Sequence, residues 1–330
     1  MADFQGSWQQ QYRFHIAAGQ DRWRWLGRVL TTYMCSLYQV RAPLFLGDAE
    51  MAMIADIIGL DALGASFGES AKMPGGGCSV ASITQATSLP RETVRRKLLR
   101  LIDHGYAVST DDRHYRLRPG ILETKPYWEA VRAVHELTLQ FGRGMVDGGH
   151  VIVEATGADA RALPPRAARI VPGDLEDRWC DLLRAFTVFH LSVNRIRAPH
   201  HDNDLEAIVL YDLVGILSVD HFADDPRFQE TIVGLDVVLG SLQRGSTVQR
   251  LAHLIGLPRE TVRRKLKQLT DDGAIERVAE GYIHRPGFLQ SAPVRAVMAQ
   301  LELYIIELMD RCLSTGVFGV VIEATPAGNT

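Results

Sequence analysis

Little in this sequence is built for covalent chemistry, and no excess of charge points to a polyanionic partner. Four cysteines stand in 330 residues, Cys35, Cys78, Cys180 and Cys312, with no CxxC pair among them. That spacing argues against a zinc ribbon or a disulfide framework and fits the reduced thiols of a cytosolic protein. Lys and Arg number 36 against 39 Asp and Glu, a formal charge of −3. Any basic function therefore lies in a local patch. Long apolar runs are missing too. The most apolar stretch, Leu205–Val219, is short and contains Glu206 and Asp212, which fits a buried helix and not a membrane crossing. The opening MADFQGSWQQQYRFHIAAGQ has no basic segment leading into an apolar run. No secretory leader is expected, and the expected location is the cytoplasm, at the nucleoid. No Ser/His/Asp or Cys/His pair has supporting context, so neither an enzyme nor a cofactor is expected.

What is present is repetition. The decapeptide LPRETVRRKL occupies Leu89–Leu98 and returns unchanged at Leu257–Leu266, 168 positions later. Other pairs extend the match in the same order. DRW at Asp21–Trp23 returns at Asp177–Trp179, RAP at Arg41–Pro43 at Arg197–Pro199, and VRAV at Val131–Val134 at Val294–Val297. Asp48–Leu60 is echoed by Asp204–Ile216, and VEAT at Val153–Thr156 by IEAT at Ile322–Thr325. Two copies are too few for a solenoid. The pattern is a tandem duplication of a whole domain, which suits the chain length. The first copy is read as 1–163, a linker as 164–175 around Pro164 and Pro165, and the second copy as 176–330.

Each copy opens with two helices, over Trp23–Val40 and Ala49–Leu60 in the first. In the second copy Val248, Leu251, Ala252 and Ile255 share one helical face, Gly256 breaks the helix, and Pro258 suits the first turn of the next. There Val262, Leu266 and Leu269 form a new stripe, Gly273 ends it, and two short strands flank Ala279–Gly281. The first copy repeats the plan with Ser88 at the first turn, Gly105 at the stop and strands around Asp111–Arg113. Helix, tight turn, helix and two-stranded wing make a winged helix-turn-helix, with cores near 79–120 and 246–287. A long amphipathic helix follows each RPG, apolar in the second copy at Val294, Val297, Leu301, Ile305, Leu308 and Cys312, and it needs a partner.

With Val94, Leu98 and Leu101 turned inward, Glu92 and Arg96 fall on the opposite side, flanked by Arg91 and Arg95. Lys97 adds to this basic run, and the second copy has the same set in Arg259, Glu260, Arg263, Arg264 and Lys265. A major-groove helix needs this chemistry. Arg donates twice to guanine O6 and N7, and a carboxylate accepts from cytosine N4. Thr93, Thr261 and the remaining cations suit phosphate oxygens. The alternative is a solvated face on which Glu92 pairs with Arg95 or Arg96. Retention of the same exposed residues in both copies, over a core that has drifted, favours DNA.

The run PRETVRRKL resembles the recognition helix of the cyclic-AMP receptor protein/FNR family, whose pattern is Ser-Arg-Glu-Thr-Val-x-Arg, and is similar to GntR-type helices. The resemblance covers about 30 residues per copy and departs at Pro90 and Pro258, where the family has a Ser cap. It implies that Arg91, Glu92 and Arg96, with Arg259, Glu260 and Arg264, read base edges. No glycine-rich β-roll precedes it, so no cyclic nucleotide is implied. The element order resembles the MarR family, with terminal helices on both sides of a winged helix. DDRHYRL at Asp111–Leu117 is similar to that family's wing, which adds Arg113 and His114 to the DNA set; the second copy lacks it. The fold implied is mainly α with small β-wings, two fused winged helix-turn-helix repeats in a pseudo-two-fold, MarR-dimer-like single chain.

The function expected is sequence-specific regulation of transcription on a double-stranded inverted-repeat operator, by a monomeric pseudo-dimer or a homodimer. The alternatives are a plasmid-type replication initiator, whose paired reading helices diverge, and a tandem winged-helix interaction scaffold. Trp23, Trp25, Trp128 and Trp179 are read as helix-packing residues, with a small-molecule effector pocket between the terminal helices as the alternative. APHHDND at Ala198–Asp204 gathers His200, His201, Asp202 and Asp204 without helical metal spacing. It is read as a polar loop ending in the helix cap Asp204, and no metal is expected. MPGGGCS at Met73–Ser79 lacks the GK[ST] of a phosphate loop and is read as a connector.

Overall fold

The computed structural model describes residues 11–17, 23–64, 76–110, 113–156, 161–163, 167–221 and 240–322. Within them the first copy runs β1 (Tyr12–Ile16), α1 (Trp23–Arg41), α2 (Ala49–Ala62), α3 (Val80–Thr87), α4 (Arg91–Asp103), β2 (Ala107–Ser109), β3 (Tyr115–Leu117), α5 (Lys125–Asp147) and β4 (Val151–Ala155). A short β5 (Arg161–Ala162) follows. The second copy repeats the order as β6 (Ala168–Pro172), α6 (Leu175–Arg197), α7 (Leu205–Val219), α8 (Val248–Ile255), α9 (Arg259–Asp271), β7 (Ile275–Val278), β8 (Gly281–His284), α10 (Ala292–Ser314) and β9 (Phe318–Ile322). The described chain is thus mainly helical, with small antiparallel sheets.

The repetition extends to strand register. Tyr12 faces Ala155 and Ile16 faces Val151 across β1 and β4, while Ala168 faces Ile322 and Pro172 faces Phe318 across β6 and β9. The stretch 164–175, expected as a linker, holds β6. Its residues 164–166 lie outside the described residues, but Ala168 and Ile170 are buried between exposed or half-buried neighbours. That period-two alternation is the signature of a half-buried strand, and the neighbouring Pro164 and Pro165 mask it in the sequence.

The described residues fall into two compact units, one drawn from Met1–Ala18, Glu50–Val193 and Glu302–Thr330, the other from Gly19–Ala49 and Asn194–Leu301. Neither unit is one sequence copy. In the first, α2 of the first copy packs with α6 of the second: His190 Nδ1 lies 2.9 Å from Asp56 Oδ2, and Arg184 Nε donates to the Leu63 carbonyl at 3.0 Å. In the second, α1 of the first copy packs with α7 and α8 of the second, where Gln39 Nε2 donates to the Leu254 carbonyl at 3.0 Å. The leading helix of each copy is thus exchanged. The first unit also joins the copies through β1 and α10, since the Phe14 amide donates to Asp310 Oδ1 at 3.0 Å.

Local rules explain the basic helices and their neighbours. Ser79 caps α3 by accepting from the Ser82 amide at 3.1 Å, and Thr247 caps α8 by accepting from the Arg250 amide at 3.2 Å. The breaks before α4 and α9 are left-handed residues, Ser88 at φ 59° and Gly256 at φ 75°. Pro90 and Pro258 stand at the N-cap, one position earlier than the first-turn placement expected from sequence. Val94, Leu98 and Leu101 are fully buried, as are Val262 and Leu266 and, at 1% exposure, Leu269. Each buried Leu or Val contributes about 1.5–3 kcal/mol. The second stripe meets Leu210, Val214, Leu251 and Ile275 in one core.

Candidate nucleic-acid interface

Turning the apolar stripe inward turns the basic face outward. Arg91, Glu92, Arg95 and Arg96 are exposed on α4, and Arg259, Glu260, Arg263 and Arg264 are exposed on α9; Thr93 and Thr261 are half-buried. The glutamates pair along their own helices, Glu92 with Arg95 at 3.5 Å and Glu260 with Arg263. Both pairs are open to solvent. Such i,i+3 pairs contribute about 0–1 kcal/mol, so a ligand that takes the guanidinium displaces little.

The two lysines of the run sit elsewhere than expected. Lys97 Nζ turns back to Glu50 Oε2 at 2.9 Å, with only 11% of its side chain exposed. Lys265 is buried and holds Asp204 and, at 3.1 Å, Glu206. Burial raises the Glu206 carboxyl above its usual range, and the Lys265 charge opposes that shift. On a helical wheel Lys97 stands about 60° from Val94, so its stem runs along the edge of the core. These lysines tie α4 to α2 and α9 to α7. The structure assigns them to holding the basic helix and not to its outward face.

In the first hairpin the Thr110 amide donates to the His114 carbonyl at 2.8 Å, closing a turn in which Arg113 takes a left-handed φ of 62°. Arg113 is exposed and His114 half-buried, while Asp111 and Asp112 lie outside the described residues. The second hairpin pairs Val278 with Gly281 across a two-residue turn and carries Glu276 and Glu280. The two hairpins therefore differ in charge although the helices before them agree.

The remaining motifs resolve into structure. Asp204 caps α7 by accepting from the Ala207 amide at 3.0 Å, as its sequence position implies. Asp202 accepts from Gln268, and His201 packs on Tyr211. In the glycine-rich stretch, 73–75 lie outside the described residues, and the Gly77 amide donates to Asp61 Oδ2 at 2.9 Å. Trp128 and Trp179 meet edge to face at 5.6 Å. The side chains of Trp23 and Trp25 lie outside the described residues, as do Asp21 of the first DRW and Glu323–Thr325 of IEAT. All four cysteines are free; burial pushes the Cys78 and Cys312 thiols up to about 12. No described helix is long and apolar enough to cross a membrane.

Two features escape sequence reasoning. Leu99 is 60% exposed on the basic face of α4. In the second copy His284 stacks on Tyr211 at 4.2 Å and donates from Nε2 to the Tyr211 carbonyl at 2.8 Å. The corresponding first-copy residues, Leu117 and Ala55, cannot form this contact. Comparison with known proteins adds nothing to the geometry: no family model, no curated protein and no solved structure matches the chain.

Proposed function

We propose that this chain is a sequence-specific, duplex-DNA-binding regulator of transcription, made of two winged helix-turn-helix repeats with α4 and α9 as recognition helices. One observation carries the reading. Arg-Glu-x-x-Arg-Arg is presented outward, residue for residue, on two helices that each follow a capped helix and precede a hairpin. In this reading Arg91, Arg96, Arg259 and Arg264 donate to guanine edges, and Glu92 and Glu260 accept from cytosine N4. Arg95 and Arg263, with Thr93 and Thr261, hold phosphates, as does Arg113 at the first wing. A good base contact supplies about 1–3 kcal/mol of discrimination, so paired helices multiply specificity.

The exchange of leading helices supports a fused, MarR-dimer-like pseudo-dimer over two independent beads, because each reading module is completed by a helix of the other copy. A pseudo-two-fold chain of this kind takes an inverted repeat with half-sites about one helical turn, ~34 Å, apart. Occlusion of a promoter is the simplest output. Selection of bound duplexes from a random library at about 150 mM salt, where exposed charges are screened beyond ~8 Å, tests the reading. An enriched inverted repeat is expected. A direct repeat contradicts the pseudo-two-fold pairing, and no enrichment contradicts DNA recognition.

A further inference from the structure

The two recognition faces are not fully alike. Within α4 and α9 the sequence is identical from Arg91 to Leu98 and from Arg259 to Leu266, and it then parts at Leu99 against Lys267. The other differences are half-buried. Arg100 and its counterpart Gln268 are half-buried, with Gln268 bonded to Asp202. Ile102 and its counterpart Thr270 are also half-buried, and the Thr270 hydroxyl donates to the Leu266 carbonyl at 2.7 Å. Leu99 and Lys267 are the differing pair that is exposed on both helices.

Both stand in line with the glutamate of their helix, two turns further on. Leu99 follows Glu92 by seven residues, which sets it within about 20° of Glu92 on the wheel and roughly 10 Å further along the axis. Arg95 and Arg96 stand one turn before it, on either side. Leu99 is 60% exposed and takes no part in the core beneath. Lys267 is also open, paired with Asp271 one turn on, the two side chains being 75% and 60% exposed. A single exposed leucine is ordinary on a protein surface. Here it sits inside a face otherwise kept without change, and its counterpart is a cation.

We propose that Leu99 and Lys267 make the two operator half-sites unequal at one base step, and so fix the direction in which the chain lies on its operator. The inference rests on the DNA-binding reading above. An isobutyl group in the major groove contacts the C5-methyl of thymine, whereas an ammonium donates to guanine N7 or O6. The first copy then prefers thymine at the step where the second prefers guanine, while the arginine-read positions stay the same in both half-sites. A homodimer presents identical side chains to both half-sites and has no such preference. A fused duplication can carry it, and this is a physical gain from joining two copies in one chain.

Parallel selections from one random duplex library, with the wild-type chain, Leu99→Lys and Lys267→Leu, test the proposal. Each variant installs the residue that the other copy already carries at an exposed position, and circular dichroism checks that it folds. The wild type is expected to select half-sites that agree except at one step, thymine in one and guanine in the other. Leu99→Lys should select guanine in both and bind that symmetric duplex roughly five- to a hundredfold better than the wild type does. Lys267→Leu should select thymine in both. A wild-type site symmetric at every step, or variants that leave the asymmetry unchanged, overturns the proposal while DNA recognition stands. Folded wild-type protein that enriches no sequence overturns both.

Discussion

Lys97 Nζ lies 2.9 Å from Glu50 Oε2 at the first turn of α2, and Lys265 repeats the tie to Glu206 at 3.1 Å in the second copy. In each copy this one lysine of the basic run is committed to fixing the angle of the basic helix. Lys97→Met and Lys265→Met should therefore lower stability without removing a phosphate contact. Each leaves a partly buried carboxylate unpaired, a loss of about 1–3 kcal/mol, larger for Lys265, which serves two acids. Urea unfolding reads the loss, and the slope of log affinity against log salt should stay at the wild-type value.

Ser88 and Gly256 do the same conformational work with different side chains. Ser88 pays for a left-handed φ of 59° that Gly256 adopts freely at 75°, and a Cβ built at Gly256 meets no atom within 4 Å. Ser88→Gly is expected to raise stability by about 1 kcal/mol, and Gly256→Ala to lower it by about 1 kcal/mol, from the backbone alone. Thermal or urea midpoints of the two variants should move in opposite directions.

Acid should act on the second unit. Burial holds the His284 imidazole down at about 4, and burial together with the Arg197 and His200 charges holds His201 down at about 3. Both values are depressed below the unfolded value near 6.5, so the unfolded chain binds protons that the native one refuses. Stability is full above about pH 6.5 and falls as pH drops from there towards the folded values. Between pH 7.5 and 5 the pair should cost roughly 2–4 kcal/mol, read as a falling urea midpoint. His284→Leu, which copies Leu117 of the first repeat, should remove about half of that dependence.

The exchanged helices forbid a simple division of the chain. Residues 1–163 alone lack α6 to cover α2, and 164–330 alone lack α1 to cover α7, so each fragment exposes an apolar helix face. Either fragment by itself should be insoluble or melt without cooperativity. Expressed together, they should purify as a stable pair. A monomeric 1–163 with a cooperative transition would contradict the exchange.

The helix–turn–helix and hairpin segments were legible because their signals are local. The spacing of Val94, Leu98 and Leu101, the break at Gly256 and the stops at Gly105 and Gly273 each act within a few residues, whereas the left-handed break at Ser88 carries no glycine to mark it. Repetition also reveals which segments are alike, but not which copy each one packs against. Asp56 with His190 and Gln39 with Leu254 join residues 134 and 215 positions apart, and no periodicity encodes such partners. The inward turn of Lys97 was half legible: its wheel angle places the stem at the core edge, while Glu50 as its partner emerges only from the packing of α4 on α2. Tyr211 and His284 stayed hidden for the same reason, 73 residues apart and without a counterpart in the first copy.

The central claim is that Arg96 and Arg264 act as equivalent readers of duplex DNA. It is tested most directly by titrating the wild type, Arg96→Ala, Arg264→Ala and the double variant with one selected duplex over a range of salt concentrations. Each single variant should lose about 1–3 kcal/mol of binding and the double about twice that, with unfolding midpoints unchanged because both side chains are exposed. Binding that is indifferent to both substitutions, or absent in the folded wild type at every salt concentration, would contradict the account.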